Sequence, residues 1–244
     1  MEIGPIIRRN LVQTFGSLFR TQRSKAIFYH DIHLDTKYTN ISTPIQLFKK
    51  HIEIIRNCDY EIVSKIKKPH GQIEISFDDG FKGIYNNINL IKELNIPIQL
   101  FIITSYLNKK DYISESQLLD LNLLSQITVS SHSHQHKILN KISEKEIITE
   151  LKTSKDFLES LLCTKVNSFC FPEGKFNDKV IKVAKQIGYN NLYTCIPGFY
   201  FDEILSGVKK RSLVQFAGKA EFKGILKGGD HFLAIWYKQK HYNQ

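Results

Sequence analysis

The sequence predicts one α/β domain built on a mainly parallel sheet, open or closed into a barrel. Three observations carry that expectation. Short apolar runs alternate with amphipathic stretches, which is the pattern of repeated strand–helix units. The length of 244 residues suits a single domain of the α/β-barrel class. Chemically capable side chains stand just after several apolar runs, where folds of this class gather their active sites.

The elements follow in order. Residues 1–25 read as a basic amphipathic helical segment: Ile7, Leu11, Phe15 and Leu18 recur at helical spacing, flanked by Arg8, Arg9, Arg20, Arg23 and Lys25. The catalytic-type domain is expected over residues 26–244. Ala26–His30 is a buried strand. Thr43 caps a helix with Pro44 in its first turn, and Leu47, Phe48, Ile52, Ile54 and Ile55 supply its apolar side. Tyr60–Val63 and Ile73–Phe77 read as strands. A helix after Gly80 carries Ile84, Ile88, Ile91 and Leu94, and Pro97 introduces the strand IQLFIIT. Ser116–Leu124 reads as helix and Ile127–Ser130 as strand. Ser143 and Glu146 form a capping-box pattern heading a long helix. Val166–Phe171 is a strand. Asn177 or Asp178 caps the helix KVIKVAKQI, which stops at Gly188. Tyr189–Tyr193 and Ser212–Gln215 are further strands, and the stretch from Gly218 carries no assignment.

Composition narrows the function classes. Hydrophobic residues make up 42%, ample for a core, so global disorder is excluded. The four cysteines form no Cys-x-x-Cys pair, which disfavours a zinc ribbon or thioredoxin-type site and leaves reduced thiols as core filler. No apolar run reaches the ~18 residues of a membrane span. Arg8, Arg9 and Asn10 interrupt the N-terminal apolar residues, so a secretory signal is not expected and the cytoplasm is. The net charge of +10 favours an anionic partner. Nucleic acid has no motif support. The N-terminal helix either packs on its own domain, the preferred reading, or lets residues 5–25 lie on the inner face of an anionic membrane.

Three clusters could do chemistry. Asp78 and Asp79 follow the strand IEISF. Adjacent carboxylates repel unless a cation sits between them or one takes a proton, so one can bind a metal while the other acts as a base. The bland alternative makes one a helix cap. His132, His134 and His136 follow the next strand but one; imidazoles are costly to bury without partners, and two of them with a carboxylate make a three-ligand site with open positions. The turn of Pro172 and Gly174 after a third strand can aim backbone N–H groups at a developing oxyanion.

In this order the clusters resemble the NodB-type polysaccharide deacetylases, carbohydrate esterase family 4. SFDDG at 76–80 matches the family's first motif. His132-Ser133-His134-Gln135-His136 fits its H-S/T-x-x-H motif, and Phe169–Phe176 looks like its third. FYHDIH and the following segment look like the branch that deacetylates poly-N-acetylglucosamine and surface polysaccharides. The resemblance spans residues 26–215. It implies a distorted (β/α)7-type barrel and one divalent metal, usually zinc, held by Asp79, His132 and His136. Asp78 would be the general base, and the Glu173 N–H the oxyanion donor. Two departures stand out. The arginine that many members place two residues before the third-motif proline is Cys170 here, and Arg211 resembles a later arginine of the same branch, expected to take over part of its task. The late Leu-x-His motif with the acid histidine is not evident. His30, ending the first strand, is the preferred acid over His231, with His134 as an outside candidate.

The implied activity is metal-dependent removal of an N-acyl group, acetyl above all, from an amino sugar in a glycan or its precursor. Two alternatives stay open. One is a deformylase or deacetylase of a lipid-linked or nucleotide-linked sugar, favoured by the missing export signal. The other is a non-catalytic carbohydrate-binding relic of the fold.

Overall fold

The computed structural model describes residues 4–18, 21–202 and 207–242. In chain order the elements are α1 (Pro5–Leu18), β1 (Lys25–Tyr29), β2 (Asp31–His33), β3 (Ser42–Pro44), α2 (Ile45–Asn57), β4 (Glu61–Ile62) and β5 (Gln72–Phe77). Then come α3 (Gly83–Asn86), α4 (Ile88–Leu94), β6 (Ile98–Ile102), α5 (Glu115–Asn122), β7 (Ile127–Ser131), α6 (Glu144–Leu162), β8 (Ser168–Cys170) and α7 (Asp178–Ile187). The chain ends with β9 (Asn191–Tyr193), β10 (Val208–Lys209), β11 (Arg211–Leu213), α8 (Lys219–Leu226) and α9 (Ala234–His241).

All pairings of the main sheet are parallel, in the order β10-β9-β8-β7-β6-β5-β1-β11, with β4 on the start of β5. Only Lys210 separates β10 from β11. One run of chain is therefore bonded first to β9 and then to β1, which closes the sheet on itself as a distorted barrel. Each strand alternates between the lumen and the helix layer. On β5, Glu74 and Ser76 face the lumen, and Asp78 continues that face one step beyond the strand. Phe28, Phe101, Tyr193 and Cys170 line the same interior around the fully buried Arg211, whose guanidinium lies 4.5 Å from the Phe28 ring and 4.9 Å from that of Phe101. The larger apolar core, including Ile27, Ile75, Leu100, Leu151 and Ile181, sits between barrel and helices.

Local rules explain most boundaries. The Ser143–Glu146 capping box starts α6, a second one (Ser114 with Gln117) starts α5, and the Asn177 side chain accepts the Val180 N–H to start α7. Four expectations need correction. Thr43 does not cap α2; its hydroxyl donates to the Gln215 carbonyl 2.9 Å away, and Pro44 takes the N-cap position in extended conformation. The helix after Gly80 is two short helices, α3 and α4, broken at Asn87. The final strand, β11, spans Arg211–Leu213 rather than Ser212–Gln215, and a separate short strand, β10 (Val208–Lys209), precedes it to pair with β9. Lys25 does not flank a surface helix: it opens β1, fully buried, 2.7 Å from Asp230.

The N-terminal helix packs on the domain. Val12 and Gly16 are buried against α8, and Leu11 and Phe15 are partly covered, while Ile6, Ile7 and Leu18 remain exposed. Arg20 lies outside the described residues. The contact depends on missing side chains: a Cβ on Gly16 would stand 2.4 Å from Gly224 Cα, and one on Gly224 would stand 2.7 Å from the Val12 carbonyl oxygen. Gly224→Val is therefore expected to lower stability by about 1–3 kcal/mol through overpacking. Urea denaturation checks it, and an unchanged midpoint would mean α1 contributes nothing to the fold. Among the described residues no helix is long and apolar enough to cross a membrane.

Candidate metal and catalytic site

The site lies at the carboxyl ends of β1, β5, β7, β8 and β11. After β5 the backbone turns left-handed at Asp79 (φ 72°) and Gly80 (φ 87°). Only glycine adopts such angles freely, so Gly80 is required and Asp79 is strained. The turn separates the two carboxylates: Asp78 stays in the lumen and Asp79 swings toward the histidines.

Asp79 Oδ1 lies 3.5 Å from His132 Nε2 and 3.7 Å from His136 Nε2, and the two imidazole nitrogens lie 3.3 Å apart. A point equidistant from these three atoms falls about 2.0 Å from each, which is the length of zinc–nitrogen and zinc–carboxylate bonds. The donor chemistry agrees. His132 Nδ1–H donates to the Cys170 carbonyl at 2.8 Å, leaving Nε2 as the lone-pair donor. Burial, helped by the neighbouring His136, pulls His132 down to about 3, so the ring is neutral as a ligand must be. Burial pushes the Asp79 carboxyl up against the pull of His30 and His136. A second cluster, Asp78, His132 and Cys170, also has metal-ligating atoms close together. It suits a cation poorly, because Arg211 already occupies it.

Arg211 Nη1 donates to Asp78 Oδ1 at 2.7 Å and Nη2 to Oδ2 at 2.8 Å, with further bonds to Ser76 Oγ at 2.9 Å and Cys170 Sγ at 2.7 Å. Burial alone would raise the Asp78 carboxyl, but the guanidinium more than offsets it and holds it below the usual carboxylate range. Burial also drives the Cys170 thiol well up, so it stays neutral. The arginine thus reaches the carboxylate from β11, and the small neutral thiol leaves room for it.

The remaining candidates separate clearly. His30 Nδ1–H donates to Gln215 Oε1 at 2.7 Å, and its ring is close enough to both carboxylates to act on them electrostatically. His231 stacks on Phe199 beside Asp202 and next to Asp230, the partner of Lys25 at the start of β1. It stands at the opposite end of the barrel. His134 pairs with Thr104 Oγ1 at 2.9 Å, outside both clusters. Glu173 sits in the strand-end turn with φ 52°, its carboxylate turned to Lys175 at 2.7 Å.

Sequence reasoning missed Glu150. This buried carboxylate on α6 accepts the backbone N–H of Gln135 at 2.7 Å and of His134 at 3.2 Å. It clamps a loop whose Ser133 and His136 both hold positive φ. The available signal was an acidic residue on the apolar face of α6, between Ile147 and Leu151. Glu150→Ala is expected to weaken zinc binding about 10–100-fold by releasing the loop, with Glu150→Gln recovering most of it. Chelator competition measures this, and equal affinity in both variants would reduce Glu150 to a core residue.

Comparison with known proteins agrees with the geometry. The Polysaccharide deacetylase family profile matches residues 65–192. The chain is 22% identical over 183 residues to YxkH of Bacillus subtilis (strain 168), named as a polysaccharide deacetylase; the match covers 70% of this chain and 64% of that relative's length. The fold is similar to the Streptococcus pyogenes deacetylase PplD, with a TM-score of 0.73 at 18% identity, covering 83% of this chain and 96% of that one. It is also similar to IcaB from Ammonifex degensii, with a TM-score of 0.72 at 14% identity, covering 86% and 98%. With more than half its length matched by the family profile, and both aspartates and both spaced histidines converging at one barrel mouth, the chain belongs to the polysaccharide deacetylase family.

Proposed function

We propose that the chain hydrolyses the N-acetyl group of an amino sugar, using one divalent cation, zinc, held by Asp79, His132 and His136. One observation carries the reading: the near-equilateral triangle of those three donor atoms stands next to a carboxylate locked in its ionised form. When bound, the cation supplies Lewis acidity, which makes water a nucleophile near neutral pH and polarises an acyl oxygen.

The protein's own residues do the rest. Asp78 takes the proton from the attacking water, and Arg211 keeps that carboxylate charged and aimed. The Glu173 N–H, on the turn after β8, donates to the oxyanion. His30, oriented by Gln215 and electrostatically within reach of both carboxylates, protonates the departing amine; its place at the end of β1 supports it over His231. Products are the free amino sugar and acetate. The four free cysteines support a cytoplasmic setting.

The test is acetate release from N-acetylated amino sugars by zinc-loaded protein, before and after chelation. His136→Ala is expected to lower bound zinc and abolish release together. Full zinc content in that variant would mean the ligand set is wrong, and sugar binding without any acetate would favour the binding relic.

A further inference from the structure

Beside the barrel mouth runs a groove of about 320 Å³ lined by Ile6, Arg9, Leu213, Gln215 and Phe216, with Arg8 and Glu221 at its edge. We infer that this groove binds the outer part of the substrate, and that the substrate is an amino sugar joined through a phosphate ester to an apolar chain. The inference rests on the deacetylase reading and narrows its substrate class.

Three features point that way. Ile6, Leu213 and Phe216 are 66%, 37% and 57% exposed, so three large apolar side chains, from α1, the end of β11 and the segment after it, face water around one groove. Such clustering on a surface marks a place that is covered in use. Second, the groove is positively charged. Arg8 is balanced by Glu221 at 2.9 Å, while Arg9 has no ion-pair partner among the described residues. A guanidinium offers paired donors that match phosphate. Third, the groove adjoins the catalytic machinery through one shared residue. Gln215 lines it and also accepts the bond from His30. Next to the catalytic histidine the groove thus presents both a free guanidinium and an apolar lip. A substrate that carries a sugar, a phosphate and an apolar chain has a partner for each part. A neutral polymer would leave the guanidinium unused, and a nucleotide would leave the apolar lip unused.

The test uses zinc-loaded full-length chain and four probes: the decyl phosphodiester of N-acetylglucosamine, neutral decyl N-acetylglucosaminide, N-acetylglucosamine 1-phosphate, and the N-acetylglucosamine tetramer. The tailed phosphodiester is expected to show kcat/KM about tenfold or more above the others, a difference the size of one good charged contact. Arg9→Glu and Phe216→Ser should each erase most of that advantage through KM. Ile235→Ser, which removes an apolar residue exposed elsewhere on α9, should not. Equal rates on all probes, a preference for the tetramer, or an advantage that survives both groove variants would overturn the inference. So would binding to phosphatidylglycerol vesicles that depends on Arg9 with no preference among the probes, since the groove would then serve bulk lipid. Failure of the underlying reading looks different: no acetate from any probe, while equilibrium binding of the tailed phosphodiester still depends on Arg9.

Discussion

Arg211→Met is expected to cost about 3–5 kcal/mol of folding stability, because removing one partner leaves the other as an uncompensated buried charge. Arg211 is fully buried and Asp78 is 2% exposed, so water cannot replace the guanidinium. Five hydrogen bonds vanish with it, to both Asp78 oxygens, Ser76, Cys170 and the Thr194 carbonyl. The pH dependence should invert as well. In the native chain the Asp78 carboxyl sits below its ordinary value of 3.8. Its contribution is thus fully present above that value and is lost as the pH falls through the lower folded value. In Arg211→Met, burial is opposed only by the weaker pull of His132 and His30 and raises the carboxyl. The penalty is then largest at neutral pH and is relieved as acid protonates the group. Urea titrations of both proteins between pH 7 and pH 4 check this. A variant that loses stability in parallel with the native chain on acidification would show that the pair is not the controlling interaction. Arg211→Lys should fall between the two, since one ammonium cannot reproduce the two-pronged contact.

The site was legible where its residues are local in sequence, and obscure where they act across the barrel. SFDDG declares itself because a buried strand, two carboxylates and the glycine needed for a left-handed turn are contiguous. The histidine run declares itself because imidazoles four residues apart after a strand have few structural uses. Ser143 and Glu146 are equally local, and the capping box forms as read. By contrast, Gln215 orients His30 from 185 residues away, and Glu150 clamps the histidine loop from another helix; a glutamine and a glutamate announce nothing by themselves. Thr43 shows how a local rule fails: the residue has the right chemistry for a helix cap, yet its hydroxyl is drawn to the Gln215 carbonyl. Of the two closing strands, β11 was legible in part as Ser212–Gln215, while β10 was not, because two residues, Val208 and Lys209, give no periodicity. The packing of α1 on α8 hangs on Gly16 and Gly224, whose role lies in the side chains they lack.

The adjacent aspartates allow the sharpest functional contrast. Asp78→Asn is expected to retain one zinc per chain and to lose about 10²–10⁴-fold in kcat, the usual range for a general base. Asp79→Asn is expected to lose the zinc itself. The difference follows from the left-handed turn at Asp79. It places one carboxylate 3.5 Å and 3.7 Å from the two imidazoles and leaves the other in the lumen on Arg211. An amide at 78 keeps an acceptor oxygen for one guanidinium nitrogen but presents an N–H₂ to the other, so the buried cation loses its counter-charge and some stability falls with the activity. Circular dichroism and zinc content therefore accompany the rate measurement. A folded, zinc-loaded Asp78→Asn protein with a kcat near that of the native chain would remove Asp78 from the chemistry and leave it as the structural partner of Arg211. A folded, zinc-loaded and inactive one would assign the proton transfer to the carboxylate that Arg211 holds ionised.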